Sequence, residues 1–214
     1  MPRVKAKRSY ESSLRKQQAS QTRMKILDAA QTLFAARGYA ASTVEAIAAA
    51  AGVATDTVYA TYRSKSGVLH ALLDVRVAGD EAPIGIIERE GPQAVRREQS
   101  QERQLAGFAT GVAEILERAA PVDDIMRGAA AVDPEIAALR ARMQEGRYDN
   151  IRQFVAWLAA NGPLRDGMNE DDAAAIVWAV ASPEVHGLLR TRRRWTPARY
   201  REWLAATLTR TLLP

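Results

Sequence analysis

"TVEAIAAAAGVATDTVYATY", residues 43–62, is the stretch that decides how this chain is read. An alanine-rich apolar run stops at Gly52, and a second short run with Val58 and Tyr62 four residues apart follows it. Helical spacing on both sides of a glycine predicts two short helices joined by a tight turn. Ala48 and Gly52 are small where the two helices must cross, and Val53 and Val58 are apolar where the second packs back. With Val58 and Tyr62 turned inward, the outer face keeps Thr55, Asp56, Tyr59 and Ala60. That face has no long apolar side chain to bury and no dense charge to solvate. Its short hydroxyls and its phenol suit base edges and phosphate oxygens in a major groove.

The flanks complete a small helical domain. A helix is predicted from Thr22 to Arg37, with Ile26, Leu27, Ala30, Leu33 and Phe34 inward and Gly38 as a left-handed C-cap. "STVE" at 42–45 has capping-box spacing, Ser42 paired with Glu45. Ser64 is the N-cap candidate of a fourth helix carrying Val68, Leu69, Leu72 and Val75. Thr43 and Lys65, each in the first turn of a helix, would face phosphates.

Charge supports this placement. Residues 1–65 carry eleven Lys/Arg and four Asp/Glu, a balance of +7 in a chain whose net charge is +5. The first third is therefore the polyanion-facing end of a nearly neutral body. Residues 1–21 are expected to form a basic, flexible arm, either reading a minor groove or acting as a purely electrostatic tail.

Beyond a Gly- and Pro-rich stretch at 79–92, the chain is again helical. Helices are expected over about 100–119, from Pro121, from "DPE" at 133–135 to Gly162, from "NEDD" at 169–172, from "SPE" at 182–184 and from "TP" at 196–197. The expectation is an all-α protein: a helix-turn-helix domain at 22–78 and a larger helical domain at 79–214. Phe108, Val112, Met126, Met143, Ile151, Phe154, Trp157 and Trp178 fall at helical spacings. They are core residues or the lining of an apolar small-molecule cavity. Arg147 interrupts the long helix's apolar stripe, where it meets an anionic ligand, snorkels, or pairs with Asp149 or Glu145. His186 is a structural hydrogen-bonder or a ligand contact. The helices around 170–181 and 197–213 carry more apolar surface than one face needs, the mark of a homodimer interface.

Several function classes are disfavoured. The chain has no Cys and two isolated His, with no phosphate loop, no metal-ligand spacing and no nucleophile elbow. No catalytic residue, metal site or cofactor is expected, and the paired carboxylates Asp123–Asp124 and Asp171–Asp172 sit at helix starts, where capping explains them. No apolar run is long enough to span a bilayer, so a cytoplasmic, nucleoid-associated protein without membrane contact is expected. An architectural DNA-binding protein relying on charge alone remains an alternative.

"ILDAAQTLFAARGYAASTVEAIAAAAGVATDTVYATYRSKSGVLHALL" closely resembles the DNA-binding domain of TetR-family transcriptional repressors. The resemblance rests on "F…GY", "S-T-V-E-x-I-A", "A-G-V", "T-V-Y-x-x-Y" and "S-K", and covers about residues 23–77. It implies a homodimer on a near-palindromic double-stranded DNA operator, released by a small hydrophobic or amphipathic effector, although activation is equally compatible with it. It implies further that Thr43, Tyr59 and Lys65 hold phosphates while Thr55, Asp56 and Thr57 sit nearest the bases, beside Ala60. Two residues depart from the pattern. Ala54 replaces a usual Ser or Thr cap, which passes the capping to Thr55. Asp56 is an acid facing DNA, to be offset by a cytosine amino group or by Arg63.

Overall fold

The computed structural model describes the backbone from Val4 to Pro214 and side chains from Leu14 onward. All regular structure among the described residues is helical: α1 Val4–Ala41, α2 Val44–Ala51, α3 Thr55–Tyr62, α4 Lys65–Ala78, α5 Glu90–Arg97, α6 Gln101–Ala130, α7 Pro134–Ala159, α8 Glu170–Val180, α9 Pro183–His186 and α10 Pro197–Leu212. A 3-10 turn, Ile86–Glu88, precedes α5, and a π turn, Gly187–Arg192, continues α9. No helix among the described residues is long and apolar enough to cross a membrane.

The chain forms two compact units, Met1–Val75 with Ile125–Ala137, and Arg76–Asp124 with Ala138–Pro214. The first unit thus takes in the end of α6 and the start of α7, a segment read from sequence as part of the second domain. Burial explains its membership, since Met126 and Ile136 are wholly enclosed. Ser66 Oγ at the start of α4 also donates to Glu135 Oε1 at 3.0 Å. The core of this unit is Ile26, Leu27, Ala30 and Phe34 of α1, Ile47 and Ala48 of α2, Val58 of α3, and Val68, Leu69 and Leu72 of α4.

Several boundaries differ from expectation. α1 begins at Val4 rather than Thr22, so the expected arm is continuous with the helix from there on. "ESSLRKQQASQTRMK" contains no Gly or Pro and is dominated by good helix formers. Residues 1–3, and the side chains of Lys5, Lys7 and Arg8 in the arm, lie outside the described residues. Gly38 does not cap in the left-handed helical region; its φ of 76° and ψ of 164° kink α1 internally. The capping box is also displaced. Thr43, not Ser42, caps α2, accepting from the Ala46 amide, while the buried Ser42 hydroxyl turns back to donate to the Gly38 carbonyl at 2.8 Å.

Two errors of reading trace to proline. The end of the Gly- and Pro-rich stretch, residues 90–92, is not boundary but the first turn of α5, where the missing amide of Pro92 costs nothing. α6 runs through Pro121, where a break was expected. Its inward residues Leu116, Ala119, Val122 and Met126 form one unbroken buried stripe, and Pro121 faces outward. Packing along that stripe outweighs the roughly 3 kcal/mol that an internal proline costs.

Caps elsewhere follow the residue types. Ser64 accepts from the Gly67 amide, Asp133 from Glu135 and Ile136, Asn169 from Asp172, Ser182 from Val185 and Thr196 from Arg199. The second unit is built on one apolar cluster that includes Leu105, Ala109 and Leu116 of α6, Ile151, Phe154 and Leu158 of α7, Val177 of α8, and Tyr200, Leu204 and Leu208 of α10.

Candidate nucleic-acid interface

α3 packs back on the core through Val58, which is 1% exposed, and through Tyr62, whose hydroxyl donates to the Arg23 carbonyl at 3.3 Å. The opposite stripe is exposed. Asp56, Tyr59 and Ala60, at i, i+3 and i+4, share one helix face, and the exposed C-cap residue Arg63 follows at its end. Thr55 and Thr57 are half-buried at the edge of that face, and Thr43 is exposed at the start of α2. Sequence reading omitted Arg63 from the candidate contacts, although it stands directly after the reading helix.

Ala54 is the N-cap of α3 and makes no side-chain cap bond; Thr55 is already inside the helix and does not replace it. Asp56 therefore sits in an uncapped first turn, where the helix dipole favours an acid. The expected pairing with Arg63 is not formed, because the two residues stand at opposite ends of an eight-residue helix, about 10 Å apart along its axis. Ala54 already has an extended backbone, φ −68° and ψ 144°. Ala54→Ser is expected to raise unfolding stability by about 1 kcal/mol, read as a shifted urea midpoint with unchanged slope. An unshifted midpoint would show that the α3 amides have other partners.

Two tethers hold the reading face. The Tyr59 hydroxyl donates to Glu45 Oε1 of α2 at 3.4 Å. The Glu45 amide and the Thr43 hydroxyl hold the Glu45 carboxyl below its ordinary value, so it is ionised and accepts. Lys65 is turned inward. Its ammonium donates to the carbonyls of Tyr39 and Ser42 at 2.9 Å each and of Ala40 at 3.4 Å, and it lies 4.2 Å from the Tyr39 ring centre. The side chain pins the α1–α2 turn, and what Lys65 leaves outward is backbone at the start of α4. Between α3 and α4, Arg63 has φ 66° and ψ −35°, and Ser64 donates across it to the Tyr62 carbonyl at 2.8 Å. This is a γ-turn on a non-glycine residue, a strained backbone. It swings the Tyr62 carbonyl over α4, where a Cβ on Gly67 would come within 2.0 Å of the oxygen.

The candidate ligand residues do not converge. Phe108, Val112, Ile151, Phe154 and Trp157 belong to the apolar cluster of the second unit, with the Phe108 and Phe154 rings stacked at 4.0 Å. Met143 is half-buried on α7, Trp178 is exposed on α8, and Met126 belongs to the first unit. Arg147 does not pair with Asp149 or Glu145. It donates to the carbonyls of Trp178 and Ala181, at 2.6 and 2.9 Å. His186 is buried, its Nε2 donating to Glu117 Oε1 at 2.9 Å, and Arg190 holds the same carboxylate through Nε and through a second nitrogen at 3.0 Å.

This trio gives a pH dependence. The Arg190 bond holds the Glu117 carboxyl below its ordinary value. Burial pushes the His186 imidazole below its own, against the pull of Glu117. Both shifts lower stability in acid: the unfolded chain takes up a proton on His186 as pH falls through 6.5, and on Glu117 as it falls through 4.5, before the folded protein does. The thermal midpoint should be flat above neutrality and fall in two steps below it. His186→Gln should remove the upper step, and its persistence would assign that step elsewhere.

The geometry defines a helix-turn-helix protein with an exposed reading helix. Residues 26–72 match the model of the family described as bacterial regulatory proteins, tetR family. Solved structures match along almost the whole chain. NalD, the secondary repressor of the MexAB-OprM multidrug efflux pump in Pseudomonas aeruginosa, is 24% identical with a TM-score of 0.66, covering 90% of this chain and 95% of its own. SmeT in its triclosan complex is 22% identical with a TM-score of 0.68, covering 90% and 92%. FadR from Bacillus subtilis, in complex with stearoyl-CoA, is 18% identical with a TM-score of 0.67, covering 86% and 96%. At these identities the likenesses establish the fold. No curated protein matches the chain in sequence. The chain is thus similar to tetR-family regulators over residues 26–72 and shares the fold of TetR-type regulators along most of its length.

Proposed function

We propose that the protein is a homodimeric repressor that binds a near-palindromic operator and leaves it when a small apolar or amphipathic molecule enters the second unit. The observation that carries this reading is the exposed stripe Asp56, Tyr59 and Ala60, with Arg63 at its end, on a helix whose other face is locked into the core. In this reading Thr43 and Tyr59 hold phosphates, with the backbone at Lys65, and Thr55, Asp56 and Thr57 lie nearest the bases. Two half-sites a helical turn apart require a two-fold protein. The outward face of α8, with Ala175, Trp178 and Ala179 exposed, supports pairing through α8 and α10. The ligands bound to SmeT and to FadR, triclosan and stearoyl-CoA, support an effector with a large apolar part.

Fluorescence anisotropy across a salt series tests it, with the protein's own upstream DNA against a scrambled control. Operator binding should exceed the control by about a thousandfold at physiological salt. Asp56→Ala should change which base substitutions are tolerated more than it weakens binding. Equal affinity for both DNAs, falling steeply with salt, would favour the charge-driven architectural reading instead.

A further inference from the structure

Among the enclosed polar atoms of the second unit that no partner in the protein satisfies, two lie on rings that touch. Glu117 is an anion, so the His186 nitrogen facing it, Nε2, carries the proton. Nδ1 is then a bare acceptor, on a residue only 4% exposed, and it has no hydrogen-bond partner. Tyr200 is 0% exposed, and its hydroxyl is likewise without a partner. The two rings meet edge to face at 4.9 Å. Burial pushes the Tyr200 phenol far above its ordinary value, so it stays a neutral O–H. An orphaned donor and an orphaned acceptor on two rings in contact are costly in a folded core unless something else meets them.

The charges nearby are already spoken for. Glu117 is shared by His186 and Arg190, Arg140 reaches Glu184 at 3.0 Å and Asp123 at 3.8 Å, and Arg147 holds carbonyls at the end of α8. An ionised guest would be stripped of water here without a free counter-charge. Trp203 lies beside Tyr200 at 5.8 Å, with Trp195 edge-on to it at 5.9 Å, so the surroundings are aromatic. Next to this corner runs the π turn Gly187–Arg192, ending near Arg194 at φ 56°. Such turns are a strained register that recurs at functional sites, and this one carries the exposed Leu188.

We propose that the His186–Tyr200 corner is the polar end of the effector site and that it takes an uncharged aromatic or aliphatic molecule through a hydroxyl group. One hydroxyl oxygen both donates to an acceptor such as Nδ1 and accepts from a phenol such as Tyr200. The proposal rests on the ligand-responsive reading above and names the class of ligand.

Titration calorimetry of the full-length protein without DNA tests it, using para-ethylphenol, its methyl ether para-ethylanisole, and para-ethylbenzoate. The phenol should bind in the millimolar range or better, about tenfold more tightly than the ether, with the benzoate weakest. Tyr200→Phe should weaken phenol and ether alike, since both accept from Tyr200, and should keep the preference for the phenol, which alone donates to Nδ1; it should unfold no earlier than the parent, since it removes only an unsatisfied hydroxyl. The proposal is overturned by equal affinity for phenol and ether, by tightest binding of the benzoate, by phenol binding that is unchanged in Tyr200→Phe, or by no phenol binding, which would leave a structural water as the occupant. Operator release is read separately. Phenol binding without release would leave this site standing and refute its coupling to DNA. Release by compounds that the phenol does not displace would keep the repressor reading and sink this site.

Discussion

Lys65→Met is expected to lower the stability of the first unit by about 2–3 kcal/mol and to abolish operator discrimination. The side chain makes two short charge-assisted bonds, to the Tyr39 and Ser42 carbonyls, and a longer one to Ala40. Bonds of this kind are worth roughly 1.5–3 kcal/mol each when shielded, and less here because the site is half-open to water. Methionine keeps the apolar stem but withdraws the ammonium from all three carbonyls, leaving Tyr39's with the Ser42 amide at 3.3 Å and the others without this charge-assisted donor. Those carbonyls belong to the residues directly before Thr43, so the start of α2 loses its fixed position and Tyr59 loses the Glu45 partner that α2 carries. A phosphate contact predicts a different pattern: unchanged stability, uniformly weaker binding to all DNA, and a salt slope reduced by about one. Urea titration beside anisotropy on operator and control DNA separates the two. An unshifted urea midpoint with a reduced salt slope would return Lys65 to the phosphates.

That contrast shows what one sequence discloses about the interface. Residue spacing disclosed the pair of helices, the inward turn of Val58 and the outward stripe, because all three follow from a 3.6-residue period. It could not disclose that Lys65 turns inward. A lysine after a serine cap reads as a phosphate ligand, and only the packed α1–α2 turn supplies the carbonyls that capture it. Ser42 and Thr43 were indistinguishable as caps for a similar reason. Either hydroxyl satisfies α2, and the kink at Gly38 decides by offering Ser42 a carbonyl behind it. Arg63 was legible from its position directly after the reading helix.

In the second unit, helices were legible and their partners were not. Proline marks a start or a break by local rules, so α6 was cut at Pro121; the burial of Val122 and Met126 beyond it is a tertiary fact. Phe108, Ile151 and Phe154 have the spacing of a cavity lining and of a core alike, and here they are stacked together. His186 became informative only when Glu117, 69 residues away, fixed which nitrogen carries its proton.

Arg147 is the strongest case of a long-range partner, and its removal should have the largest effect in this unit. Its guanidinium bridges the Trp178 and Ala181 carbonyls at the end of α8 and lies 5.4 Å over the Trp178 ring. Burial holds its basicity below the ordinary value, with Glu184 and Asp123 pulling the other way; the cation is retained because it faces the negative end of a helix. Arg147→Met should therefore cost about 2–3 kcal/mol, from the part-buried Ala181 carbonyl and the more exposed Trp178 carbonyl losing their donor and from a lost contact with the Trp178 ring. Arg147→Lys should recover less than half of that, since both bonds come from the terminal Nη2, which the shorter lysine does not reach, and an ammonium lacks the planar face that lies over the Trp178 ring. Urea unfolding followed by tryptophan fluorescence measures both. If lysine restored full stability, the charge alone would be what α8 requires; if methionine cost nothing, water would be meeting the carbonyls and Arg147 would be free to hold an anionic ligand.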